Sequence, residues 1–234
     1  MKARALIAEF IGTFALIFIG VMAIAMMTEN RDGGALVSVA LAHGLTIACL
    51  ASATAAISGG HLNPAVTFGV MVTRKINIAN GLAYIVAQLV GSVAGAAMAA
   101  YGLGLNGMHA VQGGTPSLAG GMSLPQGLVM EAVATFFLMF VIFGTAVDIR
   151  GPKVGALFIG LTVTLDLLAI GPLTGGAMNP ARWFGPAAIG GSLGTNSLVW
   201  ILGPFSGAAL AAIVYTMFLE DKNPLPLDAE VRTN

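Results

Sequence analysis

Two asparagines, each followed by proline and alanine, are the residues best suited to act on a solute. The triplets are Asn63, Pro64, Ala65 and Asn179, Pro180, Ala181, and both lie in hydrophobic sequence. Asparagine is favoured at the cap of a helix and proline at its first position, so each triplet predicts a helix start. The amino end of a helix carries about half a positive charge, and an asparagine amide donates hydrogen bonds. Two such ends inside a membrane would repel cations and hold the oxygen of a neutral solute.

Three charged residues lie in the same apolar surroundings. Arg182 follows Asn179 by three positions, so its guanidinium can reach a solute close to the second helix start. Glu9 and Glu131 lie within apolar stretches, where an unpaired charge costs at least ~2.5 kcal/mol. Both carboxylates therefore need partners. We expect a structural role for them, because no series of acidic and histidine residues for proton relay accompanies them.

Transmembrane helices are the elements that must position these residues. The chain is 57% hydrophobic and 9% charged, with a mean hydropathy of +0.90, whereas soluble domains carry about 25% charge. Roughly 20 apolar residues span a bilayer as a helix, and strand-like alternation is absent. The composition predicts an all-α integral membrane protein with six spans, at about 5–27, 35–57, 79–103, 126–147, 154–172 and 197–218.

Other classes of protein are not favoured. The amino-terminal apolar run is long and contains Glu9, so we interpret it as the first span rather than as a cleaved signal peptide. The formal net charge is zero, which does not support nucleic-acid binding. Cys49 is the single cysteine, so a disulfide framework is not supported either.

The sequence contains one internal repeat. Residues 9–14, EFIGTF, correspond to residues 131–136, EAVATF, and one asparagine triplet follows each of these segments. The two segments are 122 residues apart along the chain, and the two triplets are 116 residues apart. Three spans per half is an odd number, so the second half enters the membrane from the opposite side. An inverted repeat of this kind places binding sites near the bilayer midplane.

Two segments connect the spans by dipping into the membrane. Residues 58–73 and 173–190 are too short to cross it and too apolar to be exposed loops, so we predict re-entrant half-helices that approach from opposite faces. The whole chain, 1–234, then forms a single transmembrane channel domain. Its parts are repeat one at about 1–103, an outer loop at about 104–125, repeat two at about 126–218 and a cytoplasmic tail at 219–234.

The positions of the basic residues predict the orientation. When the chain crosses the membrane six times, eight of the ten basic residues lie on one side. Basic residues are more frequent in cytoplasmic loops, so this side, which carries both termini, is predicted to be the cytoplasm. Arg31 alone is on the far side, and Arg182 belongs to neither surface. The eight are Lys2, Arg4, Arg74, Lys75, Arg150, Lys153, Lys222 and Arg232.

The doubled triplet, the arginine after the second one and the paired glutamates resemble the major intrinsic protein family, the aquaporins and aquaglyceroporins. The local sequences SGGHLNPAVT and GGAMNPARWFGPA are similar to tonoplast-type plant members and to bacterial water channels. The resemblance implies a six-span hourglass, one pore per subunit and a homotetramer. It also implies that Glu9 and Glu131 accept hydrogen bonds from the backbone of the re-entrant loops. We place the protein in a membrane of the bacterial inner (plasma) type.

The resemblance also implies which residues form the selectivity constriction, when the family's positions are carried over by their spacing from the asparagine triplets. The family's selectivity constriction maps onto His43, Leu167, Gly176 and Arg182, a combination similar to tonoplast-type channels that pass ammonia as well as water. A one-residue gap in the alignment would place Asp166 in the constriction instead of Leu167. His61, two residues before Asn63, lies at the cytoplasmic side of the pore, as a lining histidine or as one that titrates and gates flow.

The function that these residues predict is a passive water channel that excludes protons and ions, with ammonia as a second permeant. Such a channel is no enzyme and needs no cofactor or metal. A facilitator of glycerol or urea ranks below it, because glycerol channels have bulky aromatic residues at the constriction. The alternative from another class is a proton-coupled transporter that would use Asp166 and His43 as titrating carriers.

Overall fold

Eight α-helices make up the fold of the described residues, 3–29 and 34–221, in a computed structural model. Two of the helices are short, and α5 and α8 each continue into a π-helical turn, Phe143–Val147 and Tyr215–Leu219. No strand occurs in these ranges. The helices are α1 (Ala3–Glu29), α2 (Ala35–Ser58), α3 (Pro64–Val72), α4 (Ile78–Ala110), α5 (Leu124–Ile142), α6 (Gly155–Thr174), α7 (Pro180–Gly190) and α8 (Leu198–Val214).

Six helices of the described part are long and apolar enough to cross a bilayer, which confirms the predicted spans. α3 and α7, with 9 and 11 residues, are the two half-helices. Four of the basic residues behind the predicted orientation, Lys2, Arg31, Lys222 and Arg232, lie outside the described residues, as does the tail beyond 221. The orientation therefore stays a prediction.

One helix is longer than its sequence pattern indicates. α4 continues to Ala110 and so includes the first residues of the predicted outer loop. Gly104, inside it, has φ of 69°, a backbone conformation that glycine adopts without steric cost. The apolar span ends at Gly104, and the helix resumes beyond this bend as a non-spanning segment.

The packing of the helices repeats between the two halves. α1 packs on α4, α5 packs on α8, and α2 meets α6 between the halves. Each half-helix contacts the opposite half, α3 on α8 and α7 on α4. Small residues permit these close approaches: a Cβ at Gly91 would overlap the carbonyl group of Phe10, and one at Gly203 would lie 2.9 Å from the carbonyl oxygen of Leu128.

Apolar side chains cover the outer surface of the bundle. Ile7 on α1 is 57% exposed, Val86 on α4 is 61% exposed and Leu165 on α6 is 64% exposed. In a soluble protein an apolar surface of this extent would cause aggregation, whereas in a bilayer it contacts lipid tails. The polar residues of the predicted site are inside the bundle.

Candidate functional site

Each half-helix begins at one of the two asparagines. Asn63 and Asn179 have extended backbones, and their side-chain oxygens accept hydrogen bonds from Ala65 N at 2.8 Å and from Ala181 N at 3.0 Å. The residue before each asparagine is in the left-handed region, with φ of 50° at Leu62 and 51° at Met178. The same turn thus occurs twice, and it directs the two helix starts towards each other.

A reciprocal pair of hydrogen bonds joins the two turns. The Asn63 side-chain amide donates to the carbonyl oxygen of Met178 at 2.9 Å, and that of Asn179 donates to the carbonyl oxygen of Leu62 at 3.0 Å. Sequence reasoning missed this tie, because its partners are 115 and 117 residues apart and no local pattern indicates it. Each amide carries two hydrogens, so one N–H per asparagine remains for a solute.

Glu9 fixes the first turn. It is fully buried, and its carboxylate accepts hydrogen bonds from the backbone N–H groups of His61 at 3.0 Å and Leu62 at 2.7 Å. The Ser58 hydroxyl at 2.6 Å and the Gln88 amide at 2.8 Å donate to the same carboxylate. Four donors from three segments thus satisfy both oxygens of a charge inside the membrane.

Glu131 does the same for the second turn. It is fully buried and accepts from Ala177 N at 2.9 Å, Met178 N at 2.7 Å and the Thr174 hydroxyl at 2.6 Å. Because the loop backbone and hydroxyl occupy both oxygens, the geometry suits an anchor for the loop rather than a proton carrier.

One cavity of about 200 Å³ passes both asparagines. His61, Asn63, Asn179 and Arg182 are among its polar lining residues, and Arg182 belongs to the first turn of α7. Most of its other walls are aliphatic, with Val163 and Ile159 of α6 among them. An apolar path with a few polar groups binds a small solute at those groups and holds it weakly elsewhere.

The four residues assigned to the constriction all line this cavity: His43, Leu167, Gly176 and Arg182. Arg182 is 5% exposed and donates from Nη1 to the carbonyl oxygen of Gly114 at 2.9 Å, which holds the guanidinium against the loop after α4. Its Nε has no partner among the described residues. The buried arginine therefore keeps donor capacity for a solute.

His43 has a defined tautomer. Its Nδ1 lies 2.8 Å from the carbonyl oxygen of Val39, and a carbonyl only accepts, so Nδ1 carries the proton. Nε2 is then an acceptor, and it is buried with no hydrogen-bond partner in the part of the chain that the structure describes.

Asp166 does not line the cavity, whereas its neighbour Leu167 does. Both are buried, at 7% and 2% exposure, and they point to different sides of α6. This geometry favours the ungapped alignment. It also leaves the proton-coupled alternative without its acidic carrier on the path of the solute.

His61 is built into the wall of the cavity. Its Nδ1 lies 3.1 Å from the Thr67 hydroxyl, and its ring packs edge-on against Tyr84 with centroids 5.3 Å apart. Its backbone N–H is one of those held by Glu9. These contacts fit a lining residue with a fixed ring.

Ion pairs that the sequence did not indicate lie at the end of the cavity remote from α7. Lys75, beyond the carboxyl end of α3, lines the cavity and donates to Glu220 at 2.6 Å. Nearby, Asp148 accepts from Arg150 at 2.9 and 2.5 Å and from the Tyr215 hydroxyl at 3.1 Å. The Arg150 guanidinium holds the pKa of the Asp148 carboxyl well below its usual range. These contacts tie the ends of α5 and α8 together.

Comparison with known proteins gives a consistent result. Residues 1–215 match the family model described as "Major intrinsic protein". The chain is 40% identical to Aquaporin TIP2-1 of Arabidopsis thaliana and 40% identical to Aquaporin TIP4-4 of Zea mays, over 96% of this chain and 91% of each relative. Among solved structures, the aquaglyceroporin from Plasmodium falciparum is similar, with a TM-score of 0.83, 26% identity and coverage of 92% of this chain and 96% of that one.

Proposed function

The chain belongs to the major intrinsic protein family, and on this premise we propose how its residues conduct water passively. Members of this family are channels, so the protein acts by lowering a barrier to permeation and not by a covalent reaction. The observation that carries the proposal is the cavity that runs past two facing helix starts and Arg182 within a six-span bundle.

Cation exclusion at the centre follows from the two half-helices. Each amino end carries about +0.5 elementary charge, and the reciprocal tie keeps the two ends facing each other. A proton or a metal cation near Asn63 and Asn179 therefore meets repulsion from both sides. A neutral molecule does not.

Proton transfer along the water file is interrupted at the same place. One N–H of each asparagine is taken by the tie, and the other can donate to a water oxygen. A water that accepts from both asparagines directs its own hydrogens away from the centre. Neighbouring waters then cannot pass a proton through it.

Ammonia is a second candidate permeant, and the composition of the constriction favours it. Besides Arg182 and His43, the constriction has Leu167 and Gly176, neither of which has a polar side chain. Ammonia can accept from the Arg182 guanidinium through its lone pair, as water does through its oxygen. Ammonium is repelled by the same guanidinium, so transport is of the neutral form.

Glycerol and urea rank below these two solutes. The similar solved structure is titled an aquaglyceroporin, but the relatives at 40% identity are named aquaporins. The constriction also lacks a phenylalanine, tyrosine or tryptophan side chain against which the carbon backbone of glycerol could pack.

The protein is an integral multi-pass membrane protein. We further propose that it assembles as a homotetramer with one pore per subunit and with both termini in the cytoplasm. The relatives with the TIP name are plant proteins, so they lend no support to our placement in a bacterial inner membrane. Chemical cross-linking in native membranes, which would give a ladder ending at four subunits, tests the assembly.

Stopped-flow light scattering on proteoliposomes tests the permeants. We expect fast shrinkage under a sucrose gradient, uptake of ammonia reported by an internal pH dye, and slow glycerol entry. Val163→Trp should abolish water flow, because Val163 lines the cavity. Leu165→Trp, on the same helix but 64% exposed on the outer surface, is the matched control and should conduct as the parent does. Glycerol flux equal to water flux would contradict the ranking, and an unaffected Val163→Trp channel would contradict the pore.

A further inference from the structure

His43 of the constriction is confined from two sides. Its Nδ1 edge is tied to the carbonyl oxygen of Val39 on its own helix, at 2.8 Å. Its opposite edge, at Nε2, is buried and makes no hydrogen bond to the described residues. The side chain as a whole is 2% exposed, so the Nε2 edge must fit into space left by a neighbouring helix.

Gly20 on α1 provides this space. The three heavy atoms nearest to a Cβ built on Gly20 all belong to the His43 imidazole, with Cε1 at 2.9 Å, Cδ2 at 3.0 Å and Nε2 closer still. Real Cβ atoms essentially never come so close to another heavy atom. The imidazole therefore occupies the volume that any other residue at position 20 would fill.

The helix itself gives no reason for a glycine at this position. Gly20 lies in the middle of α1, and glycine inside a helix is about 1 kcal/mol less favourable than alanine. Its φ is not in the left-handed region, so the backbone does not require glycine either. The close approach of the His43 imidazole is what requires a glycine at position 20.

A second side chain of the constriction is accommodated in the same way. A Cβ on Gly176 would lie 2.8 Å from Cδ2 of Leu167, and Gly176 also has φ of 56°. Two glycines thus leave room for two side chains that line the cavity together with Arg182. Gly20 is the better position to test, since an alanine there carries no backbone strain.

We propose that Gly20 is a positioning residue of the constriction: the absence of its side chain lets the His43 imidazole withdraw against α1 and so sets the width of the path. With Nδ1 held by Val39, a methyl group at position 20 would turn the ring towards the cavity that it already lines. The proposal rests on the proposed function, because it concerns the same constriction.

The test is the Gly20→Ala variant in proteoliposomes, with water permeability normalised to the amount of folded channel. We expect about a tenfold decrease, which corresponds to a barrier increase of about 1.4 kcal/mol. Gly20→Ala in a His43→Ala background should have no such effect, because no ring is present to displace. Gly102→Ala on α4 is the matched control, since nothing lies within 4 Å of a Cβ built there, and it should leave permeability unchanged.

The outcomes separate positioning from general damage to the fold. Equal losses with and without His43, or no loss in the single variant, would overturn the proposal. If Gly20→Ala does not assemble but the double variant does, the ring cannot turn towards the cavity, Gly20 serves assembly rather than the width of the path, and the proposal is overturned. If neither assembles, Gly20 serves helix packing alone and the proposal is wrong. The water permeability of the unmodified protein tests the proposed function, and this measurement is independent of the outcomes for the Gly20 variants.

Discussion

Replacing Asn63 by aspartate exchanges one NH2 group for an oxygen at the centre of the cavity and leaves the size of the side chain unchanged. The oxygen that caps Ala65 is retained, and a negative charge near a helix start is favourable locally. The donor to the Met178 carbonyl, at 2.9 Å, is lost, and two oxygens then face each other there. We expect a folded, less stable channel that admits cations.

The magnitude follows from the charges at the site. Two helix ends supply about +1 elementary charge in total, which one carboxylate neutralises. A cation about 4 Å from the new carboxylate gains about 4 kcal/mol at an effective dielectric constant of 20. Each 1.36 kcal/mol is a factor of ten in rate, so cation flux should rise by about 10³-fold. The Met178 carbonyl left without a donor costs about 1–3 kcal/mol of stability.

Planar-bilayer conductance in potassium chloride, together with stopped-flow water permeability of the same preparation, measures both effects. Asn63→Ala is the control, because it removes the cap and the tie without adding a charge, and its cation conductance should stay near the parent's. A rise of less than about tenfold in Asn63→Asp, in a preparation that still conducts water, would refute the electrostatic account. An equal rise in Asn63→Ala would show that loosening of the turn, and not charge, admits the ions.

Three further predictions concern the charged residues around the path. Arg182→Ala should conduct water and should leak cations more than the parent in the same conductance assay; an unchanged exclusion of cations would remove the role given to the guanidinium. Glu131→Ala leaves two buried loop N–H groups without an acceptor, at about 1–3 kcal/mol each, so its thermal inactivation midpoint in detergent should fall well below that of the milder Thr174→Val. Asp148 has its pKa lowered by Arg150, so its stabilisation is present above the unfolded pKa near 3.8 and lost as the pH falls below it. The parent should therefore outlast Asp148→Asn at pH 7 by a margin that shrinks progressively as the pH falls below 3.8, and a margin as large at pH 2 as at pH 7 would contradict this.

Much of the architecture follows from local sequence. The lengths of the apolar runs predict six spans, and the asparagine-proline pairs predict the starts of α3 and α7 to the residue. Both are short-range effects, since a span depends on about 20 consecutive residues and a helix cap on three or four. The extension of α4 to Ala110 was not predicted, because the glycine-rich sequence after 103 resembles a loop.

Members of the candidate site could be proposed from the sequence, but the contacts between them could not. The asparagines, Arg182 and the paired glutamates could be found because their residue types are unusual in apolar sequence and occur at repeated spacing. Leu167 was preferred over Asp166 from the ungapped spacing alone, and the structure adds that Leu167 lines the cavity whereas Asp166 does not, because adjacent residues on a helix point about 100° apart.

The sequence by itself determined which segments cross the bilayer, where the half-helices begin and which charges must be satisfied inside. Only the tertiary structure decided how the two asparagine turns are tied to each other, that Gly20 makes room for His43, and that Lys75 and Glu220 meet at one end of the path. The physical reason is distance along the chain. Hydrophobicity and capping act on neighbouring residues, whereas these contacts join residues from 23 to 145 positions apart and exist only once the helices have packed.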